Sequence, residues 1–225
     1  MFQLDGVVPW GRSFDEYRRL FALTPEDLAL SILGCADGPA SFNAELTRRG
    51  GRVTSFDPIY RLERAQIEQR IAVTADQILE QTRRNAADFV WTGDIRSVEE
   101  LGQTRMAAMR QFLDDYDEGR ADHRYIDAEL PRLPFPDAAF DLALCSHFLF
   151  LYTVQLGEDF HHAALAELRR VASEVRVFPL VALAGGQSPL VAPCVEALQA
   201  RGHNVSIETV AYEFQRGANQ MLRVQ

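Results

Sequence analysis

The sequence predicts an α/β fold in which a mainly parallel sheet of seven strands carries helices on both faces. Short apolar runs that suit buried strands alternate along the chain with segments of helical pattern. The first apolar run stops at a turn of small residues, and a helix start follows it, as in the strand–turn–helix units of parallel sheets. The length of 225 residues, 47% hydrophobic and 24% charged, suits one globular domain over residues 1–225.

The first half of the chain is expected to contain four elements: a helix at 13–22, a strand at 28–35, a helix at 39–50 and a strand at 52–57. Ser13 is a suitable N-cap for the first helix. Pro39 suits the first turn of the second helix, where its missing N–H does no harm. Gly50 and Gly51 then end that helix. Residues 1–27 therefore form an N-terminal strap and helix before the first strand.

Residues 61–118 have a mainly helical pattern and are longer than a crossover helix requires. We expect a helical insertion between the second and third strands that acts as a lid. Its larger apolar residues either build an acceptor pocket or make ordinary core contacts: Phe89, Trp91, Met106, Met109 and Phe112.

The second half predicts three further strands, two helices and a closing hairpin. The strands are expected at 123–127, 140–145 and 174–181, the helices at 157–172 and 188–201, and the hairpin at 204–213 and 219–225. The hairpin would add one antiparallel edge strand to the parallel sheet.

The basic residues of the chain exclude several enzyme classes. All 23 are arginine, so there is no lysine for a phosphate-binding P-loop or for a Schiff base to pyridoxal phosphate. The net charge of -9 disfavours a nucleic-acid partner, because phosphate binding usually shows as a basic excess.

The cysteines and histidines predict no metal site. Cys35, Cys145 and Cys194 lie far apart without a Cys-x-x-Cys spacing, and the adjacent His161 and His162 point about 100° apart on a helix. The odd cysteine number and the absence of a signal peptide or membrane-spanning run lead us to expect a cytoplasmic protein.

The turn after the first strand is the expected cofactor site. Ligands of open parallel sheets bind beyond the carboxyl ends of the strands, and small residues let the backbone approach them. Asp57 closes the second strand 23 residues after Gly34, where a carboxylate could bind a ribose diol or simply cap the turn before Pro58. A dinucleotide fingerprint requires glycine at the third and sixth loop positions, which are Ala36 and Pro39 here. NAD and FAD are therefore disfavoured.

Two stretches resemble class I S-adenosyl-L-methionine (SAM)-dependent methyltransferases. ILGCADGPASF resembles the SAM-binding first motif of that family, with Ala36 in place of the middle glycine and Leu33 in place of the usual acidic residue. DAELPRLPFPDAAFDLALCSH resembles a later family stretch, with two extra residues before Leu133. The resemblance covers residues 28–60 and 120–182. It implies a Rossmann-like fold and methyl transfer from SAM, with S-adenosyl-L-homocysteine (SAH) as product.

The resemblance also implies which residues hold the cofactor: Gly34, Cys35, Ala36, Asp37, Gly38, Asp57, Asp127, Ala128 and Ser146. Asp127 would accept from the adenine amino group, and the Ala128 backbone would pair with the ring. Asp37 could help to hold the methionine amine. In the N-terminal segment, Trp10 and Arg12 either fold over the cofactor, with Arg12 meeting its carboxylate, or form a surface strap.

His147 is the candidate catalytic residue, because an imidazole at the mouth of the cofactor site titrates near neutral pH. A base is needed only if the acceptor is protonated, so a purely structural histidine remains the alternative. The acidic composition favours a small-molecule acceptor. Two other functions stay open: a SAM-binding sensor or partner subunit without catalysis, and a nucleotide-cofactor oxidoreductase. Neither the acceptor, the atom methylated nor the oligomeric state follows from the sequence.

Overall fold

The computed structural model describes residues 8–93 and 95–225. Six α-helices lie in this part of the chain: α1 (Phe14–Leu20), α2 (Phe42–Arg48), α3 (Arg64–Arg84), α4 (Val98–Ala121), α5 (Thr153–Val171) and α6 (Val191–Ala200). The strands are β1 (Ser31–Cys35), β2 (Arg52–Phe56), β3 (Tyr125–Ile126), β4 (Phe140–Ser146), β5 (Ala172–Phe178), β6 (Val205–Thr209) and β7 (Gln220–Val224). Residues 1–7 of the predicted strap lie outside the described part.

The strands form one sheet in the order β3-β2-β1-β4-β5-β7-β6. The pairs β1–β2, β1–β4, β2–β3 and β4–β5 are parallel, and β7 runs antiparallel to both β5 and β6. The predicted seven-stranded, mainly parallel sheet with an antiparallel last strand is therefore confirmed. Strand order reverses between β1 and β4, so their carboxyl ends open a crevice for a ligand.

The closing hairpin differs from its prediction in position. The antiparallel strand β7 is inserted between β5 and β6, so β6 forms the edge of the sheet. The residues of β7 explain this, because Leu222 and Val224 are fully buried while the side chains of β6 are mostly exposed. The more apolar strand takes the inner position, where both of its neighbours cover it.

Two apolar clusters cover the faces of the sheet. On one face, α5 and α6 pack on β4 and β5 through buried residues such as Leu165, Leu168 and Val177. On the other, α1 and α2 pack through stacked aromatic rings, with Tyr17 and Phe42 centroids 4.7 Å apart. These layers hold the strand ends rigidly in place around the crevice.

The segment between β2 and β3 consists of α3, a connection at 85–97 and α4. It has its own aromatic core, in which Tyr60, Phe112, Tyr116 and Tyr125 pack ring against ring. The helix α4 also contacts α2 and β3, so it serves as the crossover helix, and α3 packs on it. Compared with a connection made by one crossover helix, α3 and the stretch that joins it to α4 are therefore the additional part of this segment.

Candidate functional site

The loop after β1 forms one wall of a cavity of about 630 Å³, in the size range of small-molecule sites. Ala36, Asp37 and Gly38 line it. Ala36 has a φ of 52°, the left-handed conformation that favours glycine. This explains why the family pattern has a glycine there, and it brings the backbone of the loop up to the cavity.

Asp37 is anchored within the protein rather than free in the cavity. Its carboxylate accepts hydrogen bonds from the Tyr17 hydroxyl and the Ser55 hydroxyl, both at 2.7 Å. Burial raises the pKa of Asp37 to about 6, although these two hydrogen bonds oppose the shift. The side chain lies against Gly34, which is itself not in the cavity wall.

Asp57 lies at the end of β2 and lines the cavity. Its carboxylate accepts from the N–H of Gly38 at 2.9 Å and from the N–H of Ile59 at 2.8 Å. Burial raises its pKa to about 6, with the nearby Asp127 adding repulsion. Asp57 therefore caps the turn that Pro58 begins and connects the end of β2 to the glycine loop, while its binding of a ribose diol stays a prediction.

The remaining predicted cofactor residues divide into two groups. Ser146 lines the cavity at the end of β4, whereas Cys35, Asp127 and Ala128 do not line it. Cys35 is fully buried opposite Cys145 on the neighbouring strand, and burial raises the pKa of its thiol. In the segment after β3, the two residues that follow Ala128, Glu129 and Leu130, line the cavity instead.

His147 follows β4 with a φ of 53°, held by its own N–H, which donates to the Phe178 carbonyl at 2.6 Å. Its Nδ1 lies 2.9 Å from the Ser146 hydroxyl. Burial lowers the pKa of His147 well below its usual value, and Arg12 and Arg105 add to this shift. The imidazole is thus neutral at neutral pH and lines the cavity.

Residues 8–10 and Arg12 of the N-terminal segment line the cavity, so both Trp10 and Arg12 face it. The Arg12 guanidinium donates to the Trp10 carbonyl at 3.0 Å, and its Nε is buried without a hydrogen-bond partner. Burial lowers the pKa of Arg12 to about 10, and the charge of Arg105 contributes. A buried cation with a free donor suits an anionic ligand group.

Sequence reasoning missed a buried polar network beside this wall. Arg105 of α4 forms an ion pair with Glu16 of α1, which also accepts from the Tyr212 hydroxyl at 2.9 Å. Burial alone would raise the pKa of Glu16, but Arg105 reverses this and the pKa is lowered to about 2. Arg105 and Tyr17 line the cavity. No sequence signal could have joined these residues, because they come from three distant segments.

The rest of the wall is mainly apolar. Phe89 and Phe214 line it with ring centroids 5.0 Å apart, together with Ile78, Leu101, Leu151 and Phe160. Of the predicted pocket residues in 61–118, only Phe89 lies in the wall. Met109 and Phe112 belong instead to the core between α3 and α4.

Within residues 8–93 and 95–225, no group of three or more His, Cys, Asp or Glu side chains could hold a metal ion. In the same part of the chain, no helix is both long and apolar enough to cross a membrane.

The seven-stranded sheet, with a cavity that its glycine loop and the ends of β2 and β4 line, defines an α/β protein of the class I methyltransferase type. A family model described as "Methyltransferase domain" matches residues 97–174. An uncharacterized protein of Methanocaldococcus jannaschii is 34% identical over 220 residues, covering 97% of this chain and 96% of that protein. The chain belongs to the class I SAM-dependent methyltransferase family.

Solved structures show more distant similarity. Magnesium protoporphyrin IX methyltransferase from Synechocystis PCC 6803, with bound SAM, is 13% identical, with coverage of 94% of this chain and 76% of that chain and a TM-score of 0.49. The N-methyltransferase NodS from Bradyrhizobium japonicum WM9 is 12% identical, with coverage of 93% and 92% and a TM-score of 0.47. Methyltransferase domains of this family use SAM, so the cofactor predicted from the sequence is confirmed.

Proposed function

We propose that this protein binds SAM in the cavity and transfers its methyl group to a small-molecule acceptor. The observation that carries the proposal is the meeting of three groups at one cavity: the glycine loop, the Asp57 carboxylate and the buried Arg12 guanidinium. The loop lets the backbone come close to a ligand, the Asp57 carboxylate can accept hydrogen bonds from hydroxyl groups, and the Arg12 guanidinium can pair with a carboxylate. Bound SAM supplies an activated methyl group on a sulfonium.

Each residue has a proposed task. Asp57 accepts from the ribose hydroxyls, and the 34–38 loop supports the methionine part, with Asp37 bracing the loop from behind. Arg12 binds the cofactor carboxylate, and Ser146 lines the methionine side. Asp127 and Ala128 were predicted to hold the adenine. Since Glu129 and Leu130 face the cavity, we propose that these two residues share that task.

His147 is proposed to act in its neutral form. Its lowered pKa makes it a weak base, so it can hydrogen-bond an acceptor or accept a proton only as the methyl group transfers. Holding the acceptor in line with the methyl group is then the main source of acceleration. We further propose that residues 61–118 and the strap at 1–27 belong to one domain, 1–225, and that part of the insertion acts as a lid.

Calorimetry with SAM, SAH and NADH tests the cofactor assignment. SAM and SAH are expected to bind at micromolar concentration and NADH to bind far more weakly. Asp57→Ala should reduce the affinity for SAH by roughly 10- to 100-fold, the effect of losing hydrogen bonds to a charged group. Asp76→Ala, which removes an exposed carboxylate of α3 outside the cavity, should leave it unchanged. Tight NADH binding without SAH binding would refute the proposal.

A protein that binds SAM without catalysis would pass the calorimetric test. Transfer of a labelled methyl group from SAM to small molecules of a cell extract separates the two functions. A labelled product that disappears in the Asp57→Ala variant supports the enzyme, whereas cofactor binding with no labelled product supports the sensor or partner subunit.

A further inference from the structure

The acidic and basic residues of the cavity wall come mostly from different segments of the chain. Three of its carboxylates, Asp37, Asp57 and Glu129, stand at the carboxyl ends of the strands. Its five arginines come from other segments: the N-terminal segment, the region between β2 and β3, and the turn before β7. They are Arg12, Arg61, Arg70, Arg105 and Arg216. Among the described lining residues, the fourth carboxylate, Asp88, lies in the region between β2 and β3.

Four of these five arginines form no ion pair in the described part of the chain; Arg105, which pairs with Glu16, is the exception. Arg216 donates to the backbone carbonyls of Ala87 and Phe89. The side chains of Arg61 and Arg70 are exposed at the cavity and form no hydrogen bond with the described residues.

The lack of ion pairs at these four arginines contrasts with the rest of the chain. Acidic residues outnumber basic ones, giving a net charge of -9, and arginines elsewhere commonly find carboxylates, as Arg48 and Arg49 do with Glu45. Arginines that stay unpaired around a cavity attract anions to it, and their planar guanidinium groups match carboxylate and phosphate oxygens.

Part of the cavity wall is apolar. Ile78 comes from α3 and Leu101 from α4, and the stacked Phe89 and Phe214 lie next to Arg216, which donates to the Phe89 carbonyl. A ligand that contacts both these apolar residues and the arginines needs an apolar body as well as an anionic group.

We propose that the methyl acceptor is an amphipathic acid, with an apolar body against Ile78, Leu101 and the Phe89–Phe214 pair and an anionic oxygen group bound by Arg61 and Arg70. This inference rests on the proposed function, which places SAM against the 34–38 loop, Asp57 and Arg12 of the same cavity. It adds the acceptor's chemical class, a carboxylate or phosphate monoester on a hydrocarbon or aromatic body.

The test uses the whole protein saturated with SAH and four probes of one chain length: octanoate, octyl phosphate, octanamide and octylamine. Calorimetry should give octanoate or octyl phosphate at least about tenfold tighter binding than the amide and the amine. The stronger of the two anions identifies the acidic group. Arg61→Gln and Arg70→Gln should each lower the affinity of that anion by roughly tenfold and leave octanamide binding unchanged.

Arg110→Gln is the matched control, because Arg110 is exposed on α4 and lies outside the cavity wall. Equal or tighter binding of octylamine or octanamide, or no binding of any probe, would overturn the inference. An equal loss of anion binding in Arg110→Gln would overturn it too, since the effect would then come from net charge. SAH affinity is measured on every variant, and its absence in the unmodified protein would count against the proposed function instead.

Discussion

The Asp37 carboxylate lies so close to Gly34 that a Cβ added at Gly34 would come within 1.7 Å of Asp37 Oδ2. The carboxylate is fixed in this position by Tyr17 and Ser55. The first glycine of the loop is thus required by packing within the protein. The family pattern has an acidic residue before this glycine, where Leu33 stands here; in this protein the carboxylate of Asp37 lies against the same glycine.

Gly34→Ala is therefore expected to displace Asp37 and lower the free energy of unfolding by about 1–3 kcal/mol, as overpacking of a tight interior does. It should also weaken SAH binding, because the loop must move. Urea denaturation and calorimetry measure the two effects. Gly102→Ala in α4 is the control: its new methyl group meets only the end of the Leu79 side chain, at 3.1 Å, and stability should change little. If Gly34→Ala changed neither the free energy of unfolding nor the affinity for SAH, Asp37 would have to be free to move away from the new methyl group.

The raised pKa of Asp57 predicts a pH dependence of cofactor binding. Ribose hydroxyls donate to the ionised carboxylate, so binding favours the form that exists above the pKa of about 6. Between pH 7 and pH 5 the ionised fraction falls from about nine-tenths to about one-tenth. SAH affinity should therefore fall by up to about tenfold on acidification. In Asp57→Asn, calorimetry across the same pH range should give a weaker and flatter dependence; an unchanged slope would assign it to another group.

Breaking the buried Glu16–Arg105 pair should strongly destabilise the fold. Glu16→Gln leaves the Arg105 charge buried without its partner, and we expect a loss of about 3–5 kcal/mol in urea denaturation at pH 7. The lowered pKa of Glu16 means that its contribution is present above pH 4.5 and disappears as the pH falls toward 2. Asp114→Asn, which breaks the exposed pair with Arg64, should cost roughly 0–1 kcal/mol. Equal losses of unfolding free energy in the two variants would contradict the expectation that the buried pair contributes more than the exposed one.

Residues 85–93 are predicted to open as a lid when their aromatic contacts are removed. Phe214 stacks on Phe89, meets Trp91 edge-on at 5.4 Å and accepts from the Val90 N–H through its carbonyl. In Phe214→Ala the two ring contacts vanish, so the Val90 amide should exchange its hydrogen roughly tenfold faster. Hydrogen exchange with mass spectrometry measures this. Phe135→Ala, outside the cavity, serves as the control; similar exchange in both variants would rule out a lid held by Phe214.

The sequence by itself determined the layered α/β fold, because apolar runs and glycine turns are local patterns that specify parallel strands and helix starts. It also located the 34–38 loop, Asp57, Ser146, His147 and Arg12. Each of these except Gly34 and Cys35 within the loop lines the cavity.

Only the tertiary structure decided the rest. That β7 lies inside the sheet, that Asp37 faces Gly34 and that Glu16, Arg105 and Tyr212 form one network all depend on contacts between residues far apart in the chain. Which arginines line the cavity also depends on how the helices pack. Local patterns carry no information about such contacts, because burial and charge pairing are settled only when the distant segments meet.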